Sequence, residues 1–120
     1  MGSFRKLIVY QIAFKLAMDI FKLTKEFPPE EKYDLIHQIR KSSRSVCPAI
    51  AEGYRKRQYP AYFVAKISDA DMENSETQVW LDFSLSCKYP LKDIYMELLE
   101  SSEEVGKILN HMIENPDKFK

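Results

Sequence analysis

The sequence predicts an all-α protein, a single domain over residues 1–120 folded as an antiparallel up-and-down four-helix bundle. Three observations carry this. The chain has 120 residues, the size of one domain. It holds only three glycines and six prolines, few turn formers for a strand-rich fold. Its prolines fall between long stretches in which apolar residues recur at helical spacing. A composition of 45% hydrophobic and 30% charged residues excludes a disordered chain.

The first helix is expected from about Phe4 to Phe27, ending before Pro28-Pro29. Its polar residues form one narrow line of Gln11, Lys15, Asp19, Lys22 and Glu26. Almost everything else on it is apolar, more than a bundle helix buries on one face. The excess predicts an oligomer interface on this helix, with Tyr10, Phe14 and Phe21 as its candidate residues.

The second helix is expected from Pro29-Glu30-Glu31, where proline and acids suit a first turn, to about Arg57. Tyr59-Pro60 breaks the chain, because the residue before a proline avoids the helical region. The third helix then runs from Pro60 to about Lys88. One of its stripes is Phe63, Ile67, Ala70, Asn74, Thr77 and Leu81. The other is Asp69, Met72, Glu76, Trp80, Phe83 and Cys87. Asn74, Glu76 and Thr77 must be exposed or paired internally. Arg40 and Arg44 are the candidate cations for Glu76 if it is buried; the alternative places Glu76 at the bundle surface. The fourth helix runs from about Leu91 to Glu114, with Leu91, Ile94, Leu98, Val105, Leu109 and Met112 on one face, interrupted by Ser102. Four helices of ~23–29 residues give rods of ~35–43 Å at ~1.5 Å per residue. Their short connections make neighbours antiparallel.

The formal net charge is zero, but it is unevenly spread. Met1 to Ile67 carries 13 Lys/Arg against 6 Asp/Glu; Ser68 to Lys120 carries 5 against 12. Either the first half presents a basic face, or basic and acidic helices neutralise each other on packing. The basic candidates are Arg40, Lys41 and Arg44, and then Arg55, Lys56 and Arg57.

The stretch SRSVCPAIAEGYRKR, Ser43 to Arg57, holds Pro48 and Gly53 inside an expected helix. Pro48 lacks an N–H and crowds the carbonyl of Arg44, which predicts a kink or shift. Gly53 costs ~1 kcal/mol of helix stability against alanine. Together with Ser42, Ser43, Ser45, Ala49 and Ala51 it predicts the close approach of another helix.

The run EEKYDLIHQIRKSSRSVCPAIAEGYRKR resembles the signature of the four-helix-bundle family encoded in intervening sequences of bacterial 23S rRNA genes. The matching positions are Tyr33, Leu35, Gln38, Ile39, Arg40 and Lys41, then Ser45, Val46, Ile50, Ala51, Glu52, Gly53 and Tyr54. VYQIAFKLAMDIFKLTKEFP and SETQVWL are similar to the family's first and third helices. Ala49 stands where the family has asparagine, and Cys47 takes the place of the family's proline, which appears one position later as Pro48. The resemblance implies a bundle that assembles as a ring, commonly a homopentamer. It also implies kinship to the nucleic-acid-binding accessory protein of diversity-generating retroelements.

Nothing in the sequence suggests an enzyme. His37 and His111 have no metal-ligand companions at i+3 or i+4, no glycine-rich phosphate loop exists, and no nucleophile elbow surrounds a serine. No metal, cofactor, small-molecule substrate or membrane span is expected. Cys47 and Cys87 match no zinc or redox spacing, and no secretory signal precedes them, which suggests a cytoplasmic chain with reduced thiols. Two function classes remain. One is an oligomer that binds RNA or DNA through the six cations above, with Pro48, Glu52, Gly53 and Glu76 as structural motif residues. The other is an oligomeric protein–protein adaptor. Only Tyr54 and Tyr59 lie in or beside the basic run, so base stacking has little support from the order of residues alone.

Overall fold

The prolines place the breaks, and the apolar stripes place the faces. In the computed structural model, which describes residues 2–90 and 92–120, four helices pack as expected. They are α1 (Ile8–Thr24), α2 (Leu35–Arg55), α3 (Pro60–Ser86) and α4 (Lys92–Glu114). The bundle measures 45 × 25 × 21 Å. Leu91, the expected start of the fourth helix, lies outside the described residues.

The helix ends depart from expectation. A short 3₁₀ turn, Phe4–Lys6, precedes α1, and Ser3 caps it by accepting from the Arg5 N–H at 3.2 Å. Pro29–Glu31 is a separate 3₁₀ turn rather than the first turn of α2. Asp34 then leaves helical geometry at φ −110°, ψ −102°, so α2 starts at Leu35. Proline and acids suit the start of either helix type. α3 stops at Ser86, because Lys88 turns left-handed at φ 63°. The Tyr89 N–H bonds the Ser84 carbonyl and the Lys88 N–H bonds the Leu85 carbonyl, the two hydrogen bonds of a Schellman motif.

The third-helix stripe from Phe63 to Leu81 is wholly buried, Asn74 and Thr77 included. Ile67, Ala70 and Phe63 pack with Val9, Ala13, Val46, Ile50, Val105 and Leu109 at one end of the bundle. Leu16, Ile20, Ile39, Leu81 and Leu98 fill the middle, and Phe27, Leu35 and Ile36 close the other end. Ser102 interrupts the α4 stripe because it faces Asn74. Asn74 Nδ2 donates to the Ser102 carbonyl and Ser102 Oγ donates to Asn74 Oδ1, both at 2.9 Å. Thr77 Oγ1 lies 2.9 Å from Ser42 Oγ across the α2–α3 seam. Among the described residues no buried side-chain polar atom is left without a partner, so these groups carry no unpaired desolvation cost.

Neither helix breaker ends α2. The helix runs unbroken through Pro48, which is on its exposed side. There the missing hydrogen bond disturbs the solvent face rather than the core. Gly53 is buried against α3: a methyl group placed on it would stand 2.8 Å from Ile67 Cδ1 and 3.3 Å from Lys66 Cβ.

Candidate nucleic-acid interface

The six cations fall into two patches on α2 and its C-terminal turn. Arg40, Lys41 and Arg44 form the first, beside α1. Arg55, Lys56 and Arg57 form the second, at the bundle's end. Arg40 and Arg55 are separated by about 22 Å of helix, yet lie within an arc of about 60° on an ideal helix. Arg44 falls inside the same arc, so Arg40, Arg44 and Arg55 share one line along α2, with the exposed Pro48 close to it.

In the first patch, Arg40 is committed to the fold. Its Nε donates to Thr24 Oγ1 at 2.8 Å and its Nη2 to the Phe21 carbonyl at 3.2 Å. These bonds satisfy the C-terminal turn of α1, where a helix exposes unpaired carbonyls and favours positive charge. Burial, then the neighbouring Arg44, lowers the pKa of its guanidinium. The Phe21 ring is ringed by charge: Lys25 Nζ lies 4.6 Å from its centre, and the guanidinium carbons of Arg40 and Arg44 lie 4.7 and 5.3 Å away. Such contacts favour the cations at the ring face. Lys41 and Arg44 are exposed. With Lys32 and His37 they line a shallow groove of about 420 Å³.

The second patch draws on three separate parts of the chain. The Arg57 guanidinium stacks 4.1 Å over the Tyr54 ring and donates to the Tyr54 carbonyl at 2.9 Å. The 3₁₀ turn before α1 brings Phe4 and Arg5 alongside, with the Arg5 guanidinium 4.5 Å over the Phe4 ring. These residues share a groove of about 430 Å³ with Arg55. Tyr59 and Tyr62, from the start of α3, stand around the ammonium of Lys56 at 5.9 and 5.4 Å.

Among the described residues, none of the six candidate cations makes an ion pair. The three ion pairs are Lys15–Asp19, Lys66–Glu52 and Lys120–Asp117. Five of the twelve acids of the second half gather elsewhere. Asp71, Glu100, Glu103, Glu104 and Glu114 line a groove of about 960 Å³ between α3 and α4. Glu73 lies within reach of Lys41: burial and then Glu76 raise its pKa, and Lys41 partly offsets them.

The remaining predicted residues divide by role. Glu52 reaches Lys66 at 3.8 Å and so bridges α2 to α3. Glu76 is half-buried and accepts from the Trp80 indole N–H at 3.2 Å on its own helix. The pairing of Glu76 with Arg40 is not formed, because Arg40 is bonded to α1. On α1, Phe14 is 51% exposed and Met18 38%. Tyr10 is half-buried and packs between Phe4 and Phe14, with ring centres 5.1 and 6.0 Å away.

A family model described as 23S rRNA-intervening sequence protein matches residues 5–111. The chain belongs to this family. The crystal structure of a protein of unknown function from the S23 ribosomal protein family of Bacteroides thetaiotaomicron VPI-5482 is similar to it. The two superpose with a TM-score of 0.80 at 28% identity, over 89% of this chain and 96% of that one. No curated protein matches the chain.

For this member of the intervening-sequence family, order along the chain concealed the partners of the second patch. Phe4, Arg5 and Tyr62 join Arg55–Arg57 only through the packing of the bundle. The one local signal was the aromatic-basic alternation of FR and YRKRQYPAY. No helix among the described residues is long and apolar enough to cross a membrane.

Proposed function

We propose that this intervening-sequence family member is a ring-forming bundle that binds RNA or DNA through its phosphate backbone, with little dependence on sequence. One observation carries the reading: among the described residues, none of the six cations along α2 and its C-terminal turn forms an ion pair with an acid. Unpaired cations repel one another, and a polyanion relieves this while releasing its counterions. Lys41, Arg44, Arg55 and Lys56 contact phosphates. Arg57 does so from its seat on Tyr54, and Arg40 adds charge while holding α1. The exposed apolar residues of α1 support self-association, and the family resemblance supports a ring of five, in which the basic line is repeated by every copy. The reading assigns no catalytic step, cofactor or small-molecule substrate, and it places the protein in the cytoplasm.

Binding of labelled RNA and DNA across a salt series tests it. Affinity should fall steeply and linearly on logarithmic axes as salt rises. Changing Arg55, Lys56 and Arg57 to Glu should abolish binding and leave assembly intact. A wild-type oligomer that binds neither nucleic acid at low salt would leave the adaptor reading in its place.

A further inference from the structure

We propose that the basic end of the bundle is a stacking platform for single-stranded RNA or DNA, with Tyr59 and Tyr62 as the base-contacting rings and Arg5, Arg55, Lys56 and Arg57 as their phosphate contacts. This rests on the nucleic-acid reading above and narrows it to one class of strand.

The argument begins with what the aromatic rings of this end touch. Phe4 and Tyr54 already carry guanidinium groups, at 4.5 and 4.1 Å. They position Arg5 and Arg57 and have those faces occupied. Tyr59 and Tyr62 meet a cation only at longer range, 5.9 and 5.4 Å from Lys56 Nζ. They are 63% and 57% exposed, although an aromatic ring ordinarily gains by burying its large apolar surface. Both lie within 6 Å of one ammonium, that of Lys56. Two open rings thus stand beside a group of cations that has no acid paired to it among the described residues.

A duplex keeps its base faces stacked inside and offers such rings little. A single strand offers unstacked faces at the spacing of its phosphates. Cations alone would accept any phosphate chain, whereas exposed rings among cations favour one that carries free bases. Stacking is also tolerant of base identity, because every base has a π-face. That agrees with the sequence tolerance already proposed.

The test uses the full chain and four kinds of probe: oligo(U), oligo(dT), duplexes of equal length, and inorganic polyphosphate, which has charge but no bases. Strands of about 15 nucleotides suit the usual site sizes. Single strands should bind more tightly than duplexes at equal salt, and the oligo(U) and oligo(dT) arms report which sugar is preferred. The double variant Tyr59→Leu, Tyr62→Leu should weaken single-strand binding by about tenfold or more. Binding to duplex and polyphosphate should not change, which also shows that the variant is folded. The double variant Tyr59→Phe, Tyr62→Phe should bind like wild type. In the wild-type chain, photocrosslinks from oligo(U) should map to Tyr59 or Tyr62. The proposal is overturned by duplex binding as tight as single-strand binding, by a Leu variant that loses nothing or loses polyphosphate equally, or by crosslinks confined to the Arg40–Arg44 patch. If wild type binds duplex and polyphosphate and the Leu variant is silent, the nucleic-acid reading stands and this one falls. If wild type binds none of the probes, both fall.

Discussion

Arg40 on α2 donates through Nε to the hydroxyl of Thr24, the last residue of α1, across 2.8 Å. The Thr24 hydroxyl in turn donates to the Ile20 carbonyl at 2.8 Å, so one arginine side chain ties two helices and finishes one of them. Arg44, four residues on, is exposed, with its guanidinium carbon 5.3 Å from the centre of the Phe21 ring. The two arginines should therefore separate in a stability experiment. Arg40→Ala should cost about 1–2 kcal/mol, since hydrogen bonds to charged groups are worth about 1.5–3 kcal/mol and this one is partly screened. Arg44→Ala should cost under about 0.5 kcal/mol, as surface changes usually do. Urea melts of both variants check this, and equal losses would mean that Arg40 is not the pin between α1 and α2.

Gly53 meets Ile67 where α2 and α3 cross. A Cβ on Gly53 would lie 2.8 Å from Ile67 Cδ1 and 3.2 Å from Cγ1. Gly53→Leu should destabilise the fold even though leucine is the better helix former. Overpacking costs about 1–3 kcal/mol, against a propensity gain under about 1 kcal/mol. A raised melting temperature would show that Ile67 and Lys66 can yield the space.

Periodicity made the faces legible. The stripe from Phe63 to Leu81 and the stripe from Leu98 to Met112 were readable because a helix places i, i+3 and i+4 together. The small residues around Gly53 pointed to a close crossing, which the packing against Ile67 bears out. Partners were less legible. Spacing shows which side a residue faces and leaves open what it meets: Arg40 and Arg44 were the candidate partners of a buried Glu76, the alternative being Glu76 at the surface, whereas Arg40 bonds Thr24 and Glu76 accepts from Trp80. The open rings of Tyr59 and Tyr62 were hidden for the same reason: their Lys56 is local, but Arg5 arrives from the chain's start. The start of α2 was misplaced because Pro29-Glu30-Glu31 suits a 3₁₀ turn as well as an α-helix.

Lys88 ends α3 with φ 63°, a region that suits glycine better than a residue with a Cβ. Its N–H and that of Tyr89 hold the Schellman bonds, and a glycine would keep both. Lys88→Gly should therefore stabilise the bundle by up to about 1 kcal/mol. A thermal melt that shows a loss would mean the lysine side chain makes a contact worth more than the backbone relief.

The two thiols should differ in reactivity. Cys87 is exposed, while Cys47 is half-buried in α2 and burial pushes its pKa up to about 11. The thiolate is the nucleophile, so at pH 7.5 very little of Cys47 is in the reactive form. In native buffer an alkylating reagent should modify Cys87 first and leave Cys47 intact. Cys47 should gain reactivity as pH rises toward 11 or when the chain is unfolded. Peptide mapping by mass spectrometry reads both sites, and equal native labelling at pH 7.5 would show that the α2 environment of Cys47 opens readily.

Phe14 gives the sharpest test of assembly. Its ring is 51% exposed on the isolated chain, so an aspartate there faces water and costs the lone bundle little. In an assembly built on α1 the same aspartate would be buried without a partner, a cost of several kcal/mol. Light scattering on wild type at micromolar concentration should give several times the 14.1 kDa mass of one chain. Phe14→Asp should give a folded chain of about the single mass, with helical circular dichroism retained. Tyr10→Asp is a poorer probe, because Tyr10 also packs against Phe4 and the end of the core. A Phe14→Asp variant that keeps the wild-type mass would move the interface off α1, and a monomeric wild type would remove it altogether.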